Sequence, residues 1–226
     1  MKASRIFILA IASTGIASAS VVTQTKTFSY VPADTATLTF DKFDPSLGTL
    51  NSITVTTAVT KSGGSLYVDN DSATPASGNI SQSVTIFLNS IDVDLLASTG
   101  GFIGQNVNAI STYAASVGPD DGDGAGVQPG GIDYDGTSFA PTSTSVTQTV
   151  RALVMSEYVG AGLTYDIDAI GSQGFDAAGF GGAAIQITPA TATGGVTIIY
   201  DFTPIPEPGS ALLGGLGALA LLRRRR

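Results

Sequence analysis

A two-residue alternation of apolar and hydroxyl-bearing side chains constrains the fold of this 226-residue chain more than any other feature. It is clearest in LNSITVTTAV, residues 50–59, and in GVTIIYDF, residues 195–202. Successive side chains of a β-strand point to opposite faces, so this period predicts strands with one packed and one solvated face. The residues expected on the packed faces include Ile53, Val55, Val59, Val196, Ile198 and Phe202.

Further segments rich in threonine, valine and isoleucine show the same strand pattern. They begin at Thr25, Thr35, Ser65, Ser83, Ser145, Leu163 and Ala183, with glycine, proline, asparagine and aspartate between them. Such strands are typical of antiparallel sheets with one solvated face. No linker interrupts residues 20–203, so we predict a single all-β domain, an antiparallel β-sandwich. Met155, Phe175 and Phe180 are expected in its core.

The N-terminus has the three parts of a secretory signal peptide in the usual order. Lys2 and Arg5 supply positive charge, an apolar run follows, and Ala17 and Ala19 form the small-residue pattern that signal peptidase accepts. We therefore expect signal peptidase to cleave after Ala19 and to remove residues 1–19. A retained N-terminal anchor is the alternative, but the apolar run is short for a membrane span.

The C-terminal segment, residues 204–226, joins a Pro-Glu-Pro sequence, a short apolar run and four arginines. The run from Ala211 to Leu222 has 12 residues. As a helix it rises about 18 Å, against the roughly 30 Å of bilayer hydrocarbon. The arginines are costly to move across a bilayer and keep this end on the cytoplasmic side. We expect a short hydrophobic helix that halts the chain at the membrane only temporarily.

The order of these three parts resembles the PEP-CTERM sorting signal found on exported proteins of many Gram-negative bacteria. The residues that carry the resemblance are Pro206, Glu207, Pro208, Arg223, Arg224, Arg225 and Arg226. The resemblance implies recognition by an exosortase, a membrane-embedded transpeptidase-like protease that cuts near the motif. The two prolines favour an extended backbone, the form in which a protease binds its substrate. An ordinary C-terminal membrane anchor is the alternative.

A second resemblance lies within the predicted domain. LTFDKFDPSLGTLNSITVTTAV, residues 38–59, is similar to the opening of the choice-of-anchor E domain, and VTIIYDFTP from Val196 is similar to its closing strand. The resemblance implies an extracellular domain that occurs with differing surface anchors, and it implies no activity. The turn chemistry of Asp44, Pro45 and Gly48 accounts for the first motif on structural grounds alone.

Processing would leave a strongly acidic protein. Four basic residues would remain against 17 acidic ones, a net charge near −13. Such a charge favours solubility and association with cations, and it argues against nucleic acid as a partner, because nucleic-acid contacts depend on lysine and arginine. The sequence contains no cysteine, so the domain uses no disulfide bonds in its expected oxidising location.

The strand pattern fades between residues 100 and 141, which predicts one long loop. Glycine and aspartate dominate its central part, ASVGPDDGDGAGVQPGGIDYDGTSF. The candidate metal ligands are Asp120, Asp121, Asp123, Asp133 and Asp135. Calcium is the one candidate cofactor, because it binds six to eight oxygens from carboxylates and backbone carbonyls. The spacing is not that of an EF-hand, and a solvated acidic loop is the alternative.

The residue types available restrict the chemistry of this chain. Histidine and cysteine are absent, which excludes Ser-His and Cys-His nucleophile pairs and the usual zinc sites. Glycoside hydrolysis by two carboxylates, with Glu157 or an aspartate pair, remains chemically allowed, but no sequence feature places two of them across a cleft. We therefore predict no enzymatic activity and no catalytic residues.

These features favour an exported bacterial surface or extracellular-matrix protein, such as a biofilm component. Its expected partners are signal peptidase, exosortase, and exopolysaccharide or other envelope components. We expect transient attachment to the inner membrane through the C-terminal segment, followed by release to the envelope, the cell surface or the medium. The alternative is a calcium-stabilised module that binds glycan or acts as an adhesin.

Overall fold

The computed structural model describes residues 19–30 and 34–205, together with Arg223. The described residues from 19 to 205 are all-β apart from two short 3-10 helices, Pro45–Leu47 and Ala152–Tyr158. The strands are β1 Ser20–Tyr30, β2 Thr35–Asp41, β3 Gly48–Asp69, β4 Ala76–Asn89, β5 Val107–Val117, β6 Tyr134–Ser138, β7 Thr142–Thr149, β8 Thr164–Asp176 and β9 Ala184–Pro204.

The strands form two antiparallel sheets, as the sequence predicts. Sheet A has the order β1-β9-β3-β6, with β7 also paired to β3, and sheet B has the order β2-β8-β4-β5. The two longest strands, β3 with 22 residues and β9 with 21, pair along their length in sheet A. This arrangement is consistent with a β-sandwich.

The apolar faces of the two sheets meet in one main core. Ile53, Val55 and Val59 of β3 are buried, and so are Val196 and Ile198 of β9, as the alternation predicts. They pack in one cluster with residues of sheet B, including Phe40, Val84, Ile86 and Ile167. A smaller cluster lies toward the far end of β3 and contains Leu66, Val68, Ile80, Ala115, Val117, Phe139 and Phe180.

Hydroxyl groups cover the outer face of sheet A. Thr25 and Thr197 lie 3.0 Å apart between their Oγ1 atoms, and the Oγ1 atoms of Thr56 and Thr147 lie 2.9 Å apart. These cross-strand pairs explain why threonine fills the intervening positions, since hydroxyl pairs of this kind stabilise a sheet on its solvated face.

Buried tyrosines connect the two sheets. The hydroxyl of Tyr165 in β8 lies 2.8 Å from that of Tyr200 in β9. Tyr200 donates its own proton to the carbonyl oxygen of Asp41 at 3.0 Å, so Tyr165 is the donor between the two rings. Burial, opposed by the hydrogen bond from Tyr165, raises the pKa of Tyr200 to about 12. Both hydroxyls therefore stay protonated near neutral pH.

The turn before β3 is held by the residues that the sequence singles out. The Asp44 carboxylate accepts a hydrogen bond from the Ser46 amide at 2.8 Å and caps the first 3-10 helix. At Gly48 the chain lies so close to Thr203 and Pro204 that a Cβ atom would overlap their backbone. Glycine is therefore required where β3 begins beside the end of β9.

Both ends of the described domain lie at one end of sheet A. Ser20, the first residue of β1, pairs with Phe202 of β9, and Gly48 pairs with Pro204. The Ile205 amide donates to the Leu47 carbonyl at 3.2 Å and fixes the end of β9. None of the helices in the described part of the chain combines the length and apolarity needed to span a membrane.

Two expectations from the sequence are wrong. Residues 100–141 are not one long loop, because β5 and β6 lie within them and only residues 118–133 join these two strands. The inner face of β5 carries small residues, Ala109 and Ala115, which weakens its apolar signal. Phe175 is 44% exposed rather than part of the core, whereas Phe180 is buried and Met155 packs partly against the core.

Lys61 is fully buried on the inner face of β3, the face that also carries Val55 and Val59. Its ammonium donates to the Gly63 carbonyl at 3.3 Å and lies 4.9 Å from the centre of the Phe139 ring. None of the carboxylates described forms a salt bridge with it. Burial lowers the pKa of Lys61 from its usual value of 10.5.

Replacing Val55 with aspartate should lower the free energy of unfolding by roughly 3 kcal/mol or more, because an unpaired carboxylate would be buried in the main core. The matched control is Ala58→Asp, three residues along the same strand on an exposed position. Urea unfolding followed by circular dichroism measures both. Equal losses in the two variants, or a helical spectrum of the parent protein, would contradict the fold.

Replacing Lys61 with methionine should raise the free energy of unfolding at neutral pH by about 1 kcal/mol or more, because no carboxylate among the described residues pairs with the buried ammonium. The pH dependence should also change. Between its lowered folded pKa and 10.5 the unfolded parent binds more protons than the folded parent, so its stability rises with pH. Urea unfolding at several pH values below 10 should show this rise in the parent and not in Lys61→Met.

Candidate functional site

Three aspartates form a compact group of carboxylates at the end of sheet A opposite Ser20 and Pro204. One carboxylate oxygen from each of Asp120, Asp123 and Asp133 lies within 4.8 Å of the other two. Asp120 and Asp123 belong to the 118–133 loop, and Asp133 immediately precedes β6. Two oxygens that bind one calcium ion at about 2.4 Å can be up to about 4.8 Å apart, so this spacing fits a shared cation.

Asp133 is the buried member of the group, with 1% of its surface exposed. Its Oδ2 accepts a hydrogen bond from the Asp121 amide at 2.9 Å, which ties the beginning of the loop to its end. Its Oδ1 is buried and has no hydrogen-bond partner. A buried carboxylate oxygen without a donor is costly, and a cation is one of the few ways to compensate it.

Asp121 and Gly131 lie beside the three aspartates, next to Asp133. A Cβ atom at Gly131, where φ is 80°, would overlap the carboxylate of Asp121 and lie 2.9 Å from Oδ1 of Asp133. The two acidic side chains therefore converge on the space that glycine leaves free, and no larger residue fits there.

Asp69 is a further member that the sequence did not single out. It is 1% exposed at the end of β3, and its Oδ2 accepts a hydrogen bond from the Gln128 amide of the loop at 2.6 Å. Its Oδ1 is buried and has no partner. The sequence signal is weak, because SLYVDN resembles any strand that ends in turn-forming residues.

Negative charge accumulates in this group without a basic neighbour. Desolvation, followed by the charges of Asp121, Asp69, Asp133 and Asp120, raises the pKa of Asp123 above its usual value of 3.8. Among the described residues, no lysine or arginine forms a salt bridge with any of these five carboxylates. A bound cation would supply the missing positive charge.

Asp135, the remaining candidate ligand, lies apart from this group. It is part of β6, and its carboxylate accepts hydrogen bonds from the Tyr113 hydroxyl at 3.0 Å and from the Ser116 and Gly136 amides at 2.8 and 2.7 Å. Three donors already satisfy these oxygens, so Asp135 connects β6 of sheet A to β5 of sheet B rather than contributing to the site.

Asn70 attaches the loop to the turn between β3 and β4. Its buried side-chain amide donates to the carbonyls of Thr74 at 2.8 Å and Gly118 at 2.6 Å. The Asn70 backbone amide donates to the Asp133 carbonyl at 3.0 Å, and the Asp120 amide donates to the Ser72 carbonyl at 2.9 Å. The loop is therefore held at both ends and by backbone groups of the neighbouring turn.

A second concave feature lies on sheet B. A cavity of about 280 Å³ is lined by nine residues, among them the half-exposed rings of Phe87 and Phe102 and the polar side chains of Asn89 and Gln105. Asp94 is the one acidic residue in its lining. Oε2 of Glu157 accepts a hydrogen bond from the Asp94 amide at 2.6 Å. This cavity therefore does not present the two facing carboxylates that glycoside hydrolysis requires.

The predicted processing residues lie almost entirely outside the described part of the chain. This applies to Ala17, to the Pro206-Glu207-Pro208 motif and to Arg224, Arg225 and Arg226. Ala19 and Arg223 are described, and both are exposed. The sorting motif and the signal-cleavage site therefore remain predictions from the sequence.

Comparisons with known proteins do not identify a family. No protein-family model matches the chain, and no curated protein matches it. Among solved structures, particles derived from infectious bursal virus with T=1 symmetry share 14% identity over 81% of this chain and 41% of theirs, with a TM-score of 0.16. The VP2 subviral particle of infectious bursal disease virus shares 15% identity over 91% of this chain and 49% of its own, with a TM-score of 0.12.

The chain thus spans less than half the length of either viral protein. At these TM-scores, neither viral protein indicates the fold or the function of this chain.

Replacing Asn70 with alanine should lower the free energy of unfolding by about 1–3 kcal/mol, because two buried carbonyls would lose their donor. Asn79→Ala, at an exposed position of β4, is the control and should change stability by less than about 0.5 kcal/mol. Chemical unfolding without added metal measures both. Indistinguishable stabilities would show that the Asn70 side chain does not hold the loop.

Proposed function

We propose that this chain is an exported bacterial surface or extracellular-matrix protein without catalytic activity. Its β-sandwich domain, residues 20–203, lies between a cleaved signal peptide, residues 1–19, and a C-terminal sorting segment, residues 204–226. The sorting segment contains a short hydrophobic helix, resembles PEP-CTERM signals and is processed by an exosortase. Release then delivers the acidic domain to the envelope, the cell surface or the medium, where exopolysaccharide is the expected neighbour.

The structural observation that supports this proposal is the position of the two ends of the described domain. Ser20 pairs with Phe202, and β9 ends at Pro204, so these two ends lie on adjacent strands at one end of sheet A. A precursor held at the membrane by either terminal segment would therefore present the same end of its folded domain to the membrane. Removal of both segments would leave β1 and β9 paired.

The chemistry of the motif explains how cleavage would occur. Two prolines around Glu207 resist helix formation and hold the backbone extended just before the apolar run. The arginines keep the distal end inside, so the motif stays at the outer surface of the membrane while a protease binds it. The Ile205 amide donates a hydrogen bond to the Leu47 carbonyl, and the motif begins at the next residue in the sequence, Pro206.

A second candidate function is a calcium-stabilised module that binds glycan or acts as an adhesin. The observation that favours its metal component is the pair of buried, unpartnered carboxylate oxygens on Asp69 and Asp133. For glycan, the sheet B cavity offers exposed aromatic rings beside amide side chains, a combination that suits stacking and hydrogen bonding to a sugar.

In a host with the matching exosortase, mass spectrometry of the released protein should show a first residue at Ser20 and a last residue near Glu207. Replacing Pro206, Glu207 and Pro208 with alanine should extend the helix into the cleavage region and leave the uncut chain in the membrane fraction. The control is Ser210→Ala, which alters a neighbouring residue and keeps the motif.

The same host without its exosortase provides the second comparison, and it should retain the unaltered chain in the membrane. The proposal is contradicted if the released protein still carries Arg223–Arg226. It is equally contradicted if the triple-alanine chain is cut and released like the parent.

A further inference from the structure

The 118–133 loop carries two exposed aspartates, Asp120 and Asp123, and ends in a buried one, Asp133. Asp133 reaches into the loop, with Oδ2 bonded to the Asp121 amide and Oδ1 buried without a partner. The exposed Asp120 and Asp123 each have a carboxylate oxygen within 4.8 Å of an oxygen of the Asp133 carboxylate. The acidic cluster thus includes a desolvated oxygen that the protein itself leaves uncompensated.

We propose that Asp120, Asp123 and Asp133 bind one calcium ion, and that this ion clamps the 118–133 loop to the end of sheet A. The inference rests on the metal component of the second candidate function and is independent of export, since it requires only the folded domain.

The donor set selects the ion. All the side-chain ligands are carboxylate oxygens, which favour hard cations over transition metals. Calcium accepts six to eight oxygens in irregular geometry, and backbone carbonyls of the glycine-rich loop and water can complete its shell. Magnesium requires a near-ideal octahedron at about 2.0–2.1 Å and gives up its bound water reluctantly, so it suits an irregular set of loop ligands less well.

The ion would act by closing the loop. Asp120 lies three residues after the end of β5, whereas Asp133 lies one residue before β6, so a shared ion joins the two ends of the segment. Asp69 adds negative charge from the end of β3 and is already bonded to Gln128 in the middle of the loop. Calcium would therefore connect the segment that follows β5 to the residue that precedes β6 and reduce the freedom of the residues between them.

Hydrogen bonds hold the loop in the absence of calcium. They include the bonds of Asn70, the bond from the Gly118 amide to the Ile132 carbonyl, the bond from Asp120 to Ser72 and the bonds that Asp69 and Asp133 accept. No residue from 119 to 132 is fully buried. A segment with so little burial opens easily, and an ion bound only by the closed form shifts this equilibrium.

Isothermal titration calorimetry and thermal unfolding of the full 226-residue chain, purified in a mild non-denaturing detergent, test the proposal directly. Calcium chloride at millimolar concentration should give saturable binding and raise the melting temperature, whereas magnesium chloride should give a clearly smaller shift. Asp123→Asn should weaken calcium binding at least about tenfold, because it removes one charged ligand. Without calcium this variant should melt at or above the temperature of the parent, because a like charge has been removed.

Asp71→Asn is the matched control, since it makes the same change at an exposed aspartate of the adjacent turn, outside the carboxylate group. It should bind calcium like the parent. The proposal is overturned if the parent shows no calcium binding at millimolar concentration, if Asp123→Asn binds as tightly as the parent, or if magnesium is equally effective. None of these outcomes would bear on sorting, which is read out by mass spectrometry of the released protein.

Discussion

The long antiparallel pairing of β3 with β9 organises sheet A and, through its inner face, the main core. These two strands run beside each other from the Gly48–Pro204 pair to the Asp69–Ala184 pair. Every other strand of sheet A pairs with one of them. Their inner faces supply much of the main core, and their shared ladder fixes which parts of the chain lie at each end of the sheet.

The two ends of this ladder have different chemistry. At one end the chain enters through β1 and leaves through β9, with Gly48 packed against Thr203 and Pro204. At the other end of β3, Asp69 and Asn70 contact the 118–133 loop, whose carboxylates form no salt bridge with a lysine or arginine in the described part of the chain. We propose that the first end faces the membrane before processing, which would place the acidic loop at the end directed away from it.

The sequence predicts the strands whose two faces differ strongly in polarity. The alternation of Ile53, Val55 and Val59 with threonine leaves one arrangement that buries the apolar side chains, and the structure has it. Prediction fails where the inner face is built from small residues, as in β5, because alanine and serine give little hydrophobic contrast. The same alternation places Lys61 on the buried face, although composition alone suggests a surface position for lysine.

The acidic site is only partly predictable for a related reason. Asp120, Asp123 and Asp133 are close in the sequence, so a local pattern suffices to group them. Asp69 joins them through the pairing of β3 with β6, and no local pattern distinguishes it from an ordinary residue at a strand end. Burial of Asp133 depends on how the loop closes over it, and Asp135 is removed from the group by the donors it meets in β6. Both are tertiary effects.

If the buried carboxylate of Asp133 is a calcium ligand rather than an isolated polar group, a crystal structure of the protein grown with calcium should show one ion about 2.3–2.6 Å from carboxylate oxygens of Asp120, Asp123 and Asp133. No other measurement tests the proposed site as directly. A structure with no ion there, and with Oδ1 of Asp133 hydrogen-bonded to a protein donor, would contradict it.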